Sequence, residues 1–335
     1  MTVIAPSRTR AGRRVAAALF FVSVLALAAM PIIQRYNPEL ISNSRLFSFT
    51  QMFMLVSLAT AWNLTGGMTG YIDFGFAVFF GIGAYGTGVM MREGWPFWAA
   101  CFAGALFAAV FAVLIGMPTL RLKGPYFSIA MLGTFVAMRE IVRVAKPITG
   151  GGVGLTLPPY LNRPLFFYLT LALAVIAIGV SWWIRRTEFG SSLIAIREDE
   201  VGAEMRGINT TMNKIAVFTV AAFIGGVVGG MWAYQNTFID PDVVFIESRT
   251  IELVMMTILG GLGTVAGPVL GAATIYWMRD VVWANLADYH LLAEGFLLIV
   301  IVLFVPSGIM GFLGDRKAIT LQSVWKLGRR KTPAP

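Results

Sequence analysis

Charge, cysteine and histidine are all scarce in this sequence. Charged residues make up 13% of its 335 positions, and it contains one cysteine and one histidine. Cys101 and the distant His290 cannot build a zinc or haem site by themselves, since zinc sites take three or four protein ligands. The P-loop, His-x-x-Glu-His and Gly-x-Ser-x-Gly patterns are also missing. The sequence therefore predicts no metal, no cofactor and no catalytic residues.

Apolar residues dominate instead. They make up 57% of the chain, and its mean hydropathy is +0.76, outside the usual range of soluble domains. They fall into about ten runs of roughly 17–25 residues, the length with which a helix crosses a hydrocarbon layer of about 30 Å. We expect an all-α, polytopic integral membrane protein that contacts the lipid bilayer. The predicted transmembrane runs are 15–33, 46–64, 70–90, 95–117, 125–144, 164–184, 214–235, 246–262, 264–285 and 291–306.

Basic residues predict the orientation of these runs. The net charge of +9 could suggest a nucleic-acid partner, but in so apolar a chain the distribution of Lys and Arg is the informative quantity, and no nucleic-acid binding is predicted. With the N-terminus in the cytoplasm and ten crossings, 17 of the 26 Lys and Arg residues fall in cytoplasmic segments. Both termini are therefore predicted to be cytoplasmic, with residues 185–213 as the longest internal cytoplasmic loop.

The chain is accordingly divided into three parts. Residues 1–14 form a cytoplasmic tail, residues 15–312 the transmembrane domain, and residues 313–335 a basic cytoplasmic tail. A cleaved signal peptide is the alternative for the basic and apolar N-terminal segment. It is disfavoured because the apolar run is long and no A-x-A-like cleavage site closes it.

Glycine clusters interrupt two of the apolar runs, at "NLTGGMTGYIDFG" (63–75) and "ILGGLGTVAGPVLGA" (258–272). Tight helix packing explains most glycines in membranes, but broken helices are the alternative here. Irregular backbone at membrane depth is tolerated where it is buried in protein or lines a wet cavity. Both stretches are therefore candidates for a solute pathway. The candidate pathway residues are Asn63, Gly66, Gly67, Gly70, Asp73, Gly260, Gly261, Gly263 and Pro268.

Ionisable residues within the apolar runs are few. Asp73 lies near a predicted inner boundary, where a solvated helix-end carboxylate and a functional group are about equally plausible. His290 and Glu294 are spaced as an i,i+4 pair near the outer face, and a local structural contact is the favoured interpretation. Nothing resembles the carboxylate and histidine relay of an ion-coupled pump.

The loop at 185–213 concentrates charge between apolar flanks. After Gly190 comes a mixed stretch that includes Ile194 and Arg197, and "EDEVGAEMRG" (198–207) then predicts a short helix. Its acidic residues come first, where the helix dipole favours them, and Gly207 follows as a C-terminal stop. Val201 and Met205 are one turn apart and give the helix a small apolar face. A merely solvated loop is the alternative interpretation.

The order of these residues resembles the cytoplasmic loop of permease subunits of ABC importers, and most closely the LivM-type permeases for branched-chain amino acids. The likeness extends over residues 45–312. It continues in "AWNLTGGMTGYIDFGFAVFFGIGAY" (61–85), "LRLKGPYFSIAML" (120–132), "ITGGGVGL" (148–155), "LGGLGTVAGPVLGA" (259–272) and "LFVPSGIMG" (303–311). Two departures, "YIDFGFAVF" after the first glycine turn and the glycines at 150–152, weaken any inference about the solute.

The resemblance implies a permease without an ATPase site of its own, in a bacterial inner membrane. It implies a second homologous permease chain in a heterodimer, ABC ATPase subunits and an extracytoplasmic solute-binding protein. The loop would insert into the ATPase, with Glu198, Asp199, Glu200 and Glu204 as acceptors and Ile194, Val201 and Met205 as apolar contacts. Branched-chain or related amino acids are the expected solutes. Urea, short amides or aromatic acids are alternatives, and a stand-alone secondary transporter is a further one.

Overall fold

The computed structural model of the protein describes residues 10–37, 39, 42–158, 162–282 and 308–313. The predicted all-α class is confirmed, with a single pair of two-residue strands in this part of the chain. The helices are, in chain order, α1 (Arg10–Tyr36), α2 (Asn43–Trp62), α3 (Ala77–Arg92), α4 (Phe97–Thr119), α5 (Pro125–Val144), α6 (Lys146–Thr149), α7 (Arg163–Arg186), α8 (Glu188–Glu198), α9 (Glu200–Met205), α10 (Thr210–Asn236), α11 (Pro241–Val244), α12 (Glu247–Gly260), α13 (Gly267–Val282) and α14 (Gly308–Leu313).

The long helices follow the predicted transmembrane runs. Among the described residues, α4, α7 and α10 are each long and apolar enough to cross a bilayer. Helix α12 has 14 residues, so at 1.5 Å per residue it rises only about 21 Å, less than the hydrocarbon thickness. The count of ten crossings therefore stays a prediction. The tenth run (291–306), His290 and Glu294 lie outside the described residues.

Both glycine-rich stretches break the helices, as the sequence predicts. After α2, Asn63–Gly67 forms a π-helical turn, and residues 68–76 are not helical. The run predicted from residue 70 thus becomes helical only at Ala77. The second break covers residues 261–266, and Pro268 lies in the first turn of α13, where its missing N–H costs no helical hydrogen bond.

Close glycine contacts hold α3, α4 and α10 together. A Cβ atom added at Gly83 would lie 2.1 Å from the carbonyl oxygen of Gly226, and one added at Gly229 would lie 2.0 Å from that of Phe80. A Cβ at Gly104 would lie 2.7 Å from the carbonyl oxygen of Gly83. The three backbones can approach this closely only without side chains, so tight packing is the role of these glycines.

Long-range contacts place the connecting segments at two ends of the bundle. At one end, β1 (Leu155–Thr156) pairs antiparallel with β2 (Phe238–Ile239), and Arg143 near the end of α5 forms an ion pair with Asp242. Residues 68–76, 120–124, 187–209 and 261–266 meet at the other end. The segments that share one end of the bundle are those that ten alternating crossings would place on the same side of the membrane. Which end faces the cytoplasm stays a prediction.

Candidate functional site: a charged two-helix loop and the cluster beneath it

The loop at 185–213 folds as two short helices. The Thr187 hydroxyl caps the N-terminus of α8 by accepting a hydrogen bond from the Gly190 amide at 3.3 Å. The mixed apolar and polar stretch after Gly190 is helical through Glu198. Asp199 is extended, with φ of −158°, and separates α8 from α9. The predicted single helix at 198–207 is thus shortened to Glu200–Met205.

The predicted helix stop at Gly207 is confirmed. Gly207 has a φ of 82° and donates its amide to the Glu204 carbonyl at 2.9 Å, while the Ile208 amide reaches the Ala203 carbonyl at 3.1 Å. This is the Schellman arrangement, and glycine adopts its left-handed residue without the strain of a Cβ atom. The motif fixes the direction in which the chain leaves α9 for α10.

The two helices have distinct buried and exposed faces. Leu193, Ile196 and Ala203 are buried against the bundle. Met205 is 85% exposed and Val201 56% exposed. Ile194 and the carboxylates of Glu198 and Asp199 are exposed as well. The exposed surface therefore combines apolar and acidic groups.

Beneath α9, Lys214 is the centre of a hydrogen-bonded cluster. Its ammonium group donates to Glu200 Oε1 at 2.6 Å, to the Leu120 carbonyl at 2.7 Å and to the Tyr71 hydroxyl at 3.0 Å. Tyr71 donates its own hydroxyl to Glu200 Oε2 at 2.5 Å. All three ammonium protons and both carboxylate oxygens are thus engaged. We call these four residues the Lys214 cluster.

The Lys214 cluster is largely shielded from solvent. Lys214 is 2% exposed, and the Glu200 side chain 16% exposed. Burial opposes ionisation of the carboxyl, but the hydrogen bonds from Lys214 and Tyr71 and the charge of Lys214 outweigh it and keep the pKa of Glu200 below its ordinary value. The assignment of Glu200 as an acceptor for a partner protein is therefore corrected, because both of its oxygens face inward.

A second cluster joins the two broken segments. The Asn63 side chain donates to the Thr264 carbonyl at 2.9 Å and accepts from the Gly263 amide at 2.8 Å. Arg197 of α8 donates to the Gly67 carbonyl at 2.7 Å. A Cβ at Gly263, whose φ is 72°, would lie 2.6 Å from the Arg197 guanidinium. The charged loop is thus in direct contact with both glycine-rich breaks.

Most of the predicted pathway residues are packed rather than exposed. Of the nine, Gly70 is exposed and the other eight are buried. Asp73 is fully buried, and its Oδ1 accepts from the Gly75 amide at 2.7 Å. Its Oδ2 has no hydrogen-bond partner among the described residues. The interpretation of Asp73 as a solvated helix-end carboxylate was therefore wrong.

An open cavity of about 670 Å³ lies between the loop, residues 69–74 and the start of α5. Gly70 lines it, together with the apolar side chains of Phe74, Ile129 and Leu132. The described part of the chain contains no group of three His, Cys, Asp or Glu residues that could hold a metal ion.

Sequence reasoning missed three members of the Lys214 cluster. Lys214 was counted only as a cytoplasmic charge, and Tyr71 and the Leu120 carbonyl were not singled out. One signal was present: Lys214 is the first residue of the predicted apolar run 214–235, and a lysine at the edge of such a run needs water or a partner for its charge. The identity of that partner depends on contacts between segments that are far apart in sequence.

Comparison with known proteins identifies the family of the chain. Residues 44–305 match the model of the family described as "Branched-chain amino acid transport system / permease component". The chain is 26% identical to the high-affinity branched-chain amino acid transport system permease protein LivM of Salmonella typhimurium, covering 85% of this chain and 74% of that protein. It is equally similar to LivM of Escherichia coli, at 26% over 89% of this chain and 76% of the relative.

A third relative has a different named role. The autoinducer 2 import system permease protein LsrC of Salmonella paratyphi B is 29% identical over 68% of this chain and 66% of that protein. No solved structure matches. The family match covers most of the sequence, including both glycine-rich breaks and the two-helix loop. The chain therefore belongs to the family of permease components of branched-chain amino acid transport systems.

Proposed function

We propose that this chain is one membrane subunit of an ABC importer that carries branched-chain or related amino acids inward. A second, homologous permease chain completes the membrane part as a heterodimer. ABC ATPase subunits supply the energy, and an extracytoplasmic binding protein delivers the solute. The predicted location, as a multi-pass protein of the inner membrane, is confirmed by the family membership and the apolar helices.

The observation that carries the proposal is the exposed face of α9. A six-residue helix with Val201 and Met205 turned outward exposes apolar surface that a partner would bury. Glu198 and Asp199 beside it offer acceptors for basic groups, and Arg197 and Glu200 hold the two helices to the bundle. This surface fits an ATPase subunit that docks on α8 and α9 and moves them.

The solute pathway is proposed to open next to the packed glycine breaks. Among the buried pathway residues, Asn63, Gly67 and Gly263 are in contact across the two breaks, so their movement would change how the breaks fit together. Gly70 is the member of the set that already faces an open space, the cavity beside α5. We propose this cavity as the cytoplasmic end of the passage.

Reconstitution tests the transport activity. The chain, its second permease and its ATPases would be placed in liposomes with the binding protein, and uptake of radiolabelled L-leucine would be measured with and without ATP. ATP-dependent uptake supports the proposal. Uptake by this chain alone with an ion gradient would favour a secondary transporter. The relation to LsrC makes autoinducer 2 the second solute to test, and urea, short amides and aromatic acids follow.

A paired substitution tests the docking face. Val201→Asp with Met205→Asp is expected to lower the amount of ATPase that co-purifies with the permease at least about tenfold. Burying one such apolar side chain is worth about 1.5–3 kcal/mol, and 1.4 kcal/mol corresponds to a factor of ten.

The matched control is Met212→Asp. Met212 is a methionine 63% exposed at the start of α10, outside the proposed docking face. It should keep the wild-type recovery of ATPase. Equal recovery from the paired variant and from the control would show that the ATPase binds elsewhere.

A further inference from the structure

Helix α9 cannot hold its own position. A helix of six residues is too short to be stable by itself, so tertiary contacts decide where it lies. Within α9, Ala203 is buried against the bundle, and Glu204 accepts a hydrogen bond from the Thr210 hydroxyl at 2.7 Å. Both oxygens of Glu200 are bound within the Lys214 cluster. The strongest attachment of α9 to the membrane helices is therefore through Glu200.

Lys214 connects this attachment to three other segments. It lies in the second turn of α10, a helix of 27 residues in total that reaches the opposite end of the bundle. The same ammonium group binds the Leu120 carbonyl, just after the end of α4. It also binds Tyr71, in the break between α2 and α3, and lies 4.4 Å from the centre of that ring. One cation thus joins α9, α10, the end of α4 and the first glycine break.

A displacement of α9 would be transmitted to α10 and to the helices packed against α10. Helix α10 is packed against α3 and α4 through backbone contacts at Gly226 and Gly229, which cannot compress. A pull on Glu200 would therefore act on the end of a rigid three-helix unit and, through Tyr71, on the break that leads into α3.

Stability alone does not account for a charged pair at this position. Removing a lysine and a carboxylate from water is costly, and apolar residues of similar volume often serve a buried site equally well. An ion pair also fixes the relative position of its two partners, because short, charge-assisted hydrogen bonds join them.

We propose that the Lys214–Glu200 pair, together with Tyr71, transmits the movement of the ATPase-docked helix α9 to α10 and to the first glycine break. This inference rests on the proposed function. Lys214 and Glu200 are positioning residues in this scheme. They bind neither solute nor nucleotide, and the ATPase contacts the outer face of α9.

A double variant separates coupling from folding. Single changes, Lys214→Met or Glu200→Leu, leave a buried charge without its partner and are expected to reduce the yield of assembled complex. Lys214→Met with Glu200→Leu removes both charges, so assembly, ATPase co-purification and heat resistance in detergent should return close to the wild type. The ratio of ATP hydrolysis with leucine-loaded binding protein to hydrolysis without it should nevertheless fall at least about fivefold.

The control is Glu188→Gln, which removes an exposed carboxylate from the first turn of α8 and should keep the wild-type ratio. A wild-type ratio in the assembled double variant would overturn the proposal. If the double variant fails to assemble, Tyr71→Phe decides the question, since it removes one hydroxyl from the cluster and should lower the ratio about two- to threefold. An unchanged ratio in Tyr71→Phe would also overturn it.

The wild-type complex tests the proposed function, separately from the variants that test the link through Lys214. A wild-type complex that shows no leucine-dependent stimulation contradicts transport of leucine by this importer. Stimulation in the wild type that persists in the variants contradicts only the link through Lys214.

Discussion

Gly229→Leu is expected to abolish the folded permease. Even a Cβ atom at this position would lie 2.0 Å from the Phe80 carbonyl oxygen and 3.0 Å from the Ala84 amide nitrogen. Both are backbone atoms of α3, so relief requires α10 and α3 to separate. Overpacking of a core usually costs about 1–3 kcal/mol, and a clash with backbone belongs at or above the upper end of that range.

Size-exclusion chromatography of a fluorescent fusion in detergent measures this effect. The variant should lose its monodisperse peak, while Gly179→Leu should keep it. Gly179 lies in α7 with nothing within 4 Å of an added Cβ, so the same substitution meets open space there. Equal peaks for the two variants would mean that α3 and α10 are not in contact at Gly229.

Asn63→Leu is expected to destabilise the contact between the two glycine-rich breaks. The change preserves approximate size but removes both hydrogen bonds that join the two breaks, to the Gly263 amide and the Thr264 carbonyl. Asn63 is fully buried, so neither group gains water in exchange. An unsatisfied buried polar group costs about 1–3 kcal/mol, which predicts a combined loss of about 2–6 kcal/mol.

Heat-induced aggregation in detergent and ATP-driven leucine uptake would both report the loss. The control is Asn236→Leu. Asn236 is exposed and donates to the Trp232 carbonyl, one turn away in the same helix. The control should stay near the wild type in both assays. Wild-type heat resistance in Asn63→Leu would show that the two breaks are held together by other contacts.

Much of the fold follows from local patterns in the sequence. The apolar runs predicted α4, α7 and α10 closely, because crossing a hydrocarbon layer fixes both the length and the polarity of a helix. Glycine pairs correctly marked both breaks. Gly207 correctly marked the end of α9, since a left-handed residue after a helix strongly favours glycine.

Other features could not be predicted because they depend on neighbours distant in sequence. The mixed stretch after Gly190 had no predicted secondary structure, and it is a helix that buries Leu193 and Ile196 against the bundle. For Asp73 the sequence left a solvated carboxylate and a functional group equally open, and the structure buries the residue fully. In both cases burial, which a local pattern does not contain, decided the outcome.

The sequence by itself determined that this is a helical membrane protein with two glycine-broken segments and a charged loop, because those properties reside in composition, periodicity and order along the chain. Only the tertiary structure decided that Glu200 faces inward to Lys214 and that Asn63 joins the two breaks. These contacts bring together residues up to 200 positions apart. Their pairing is fixed by how the helices pack, and a buried charge or amide finds its partner only there.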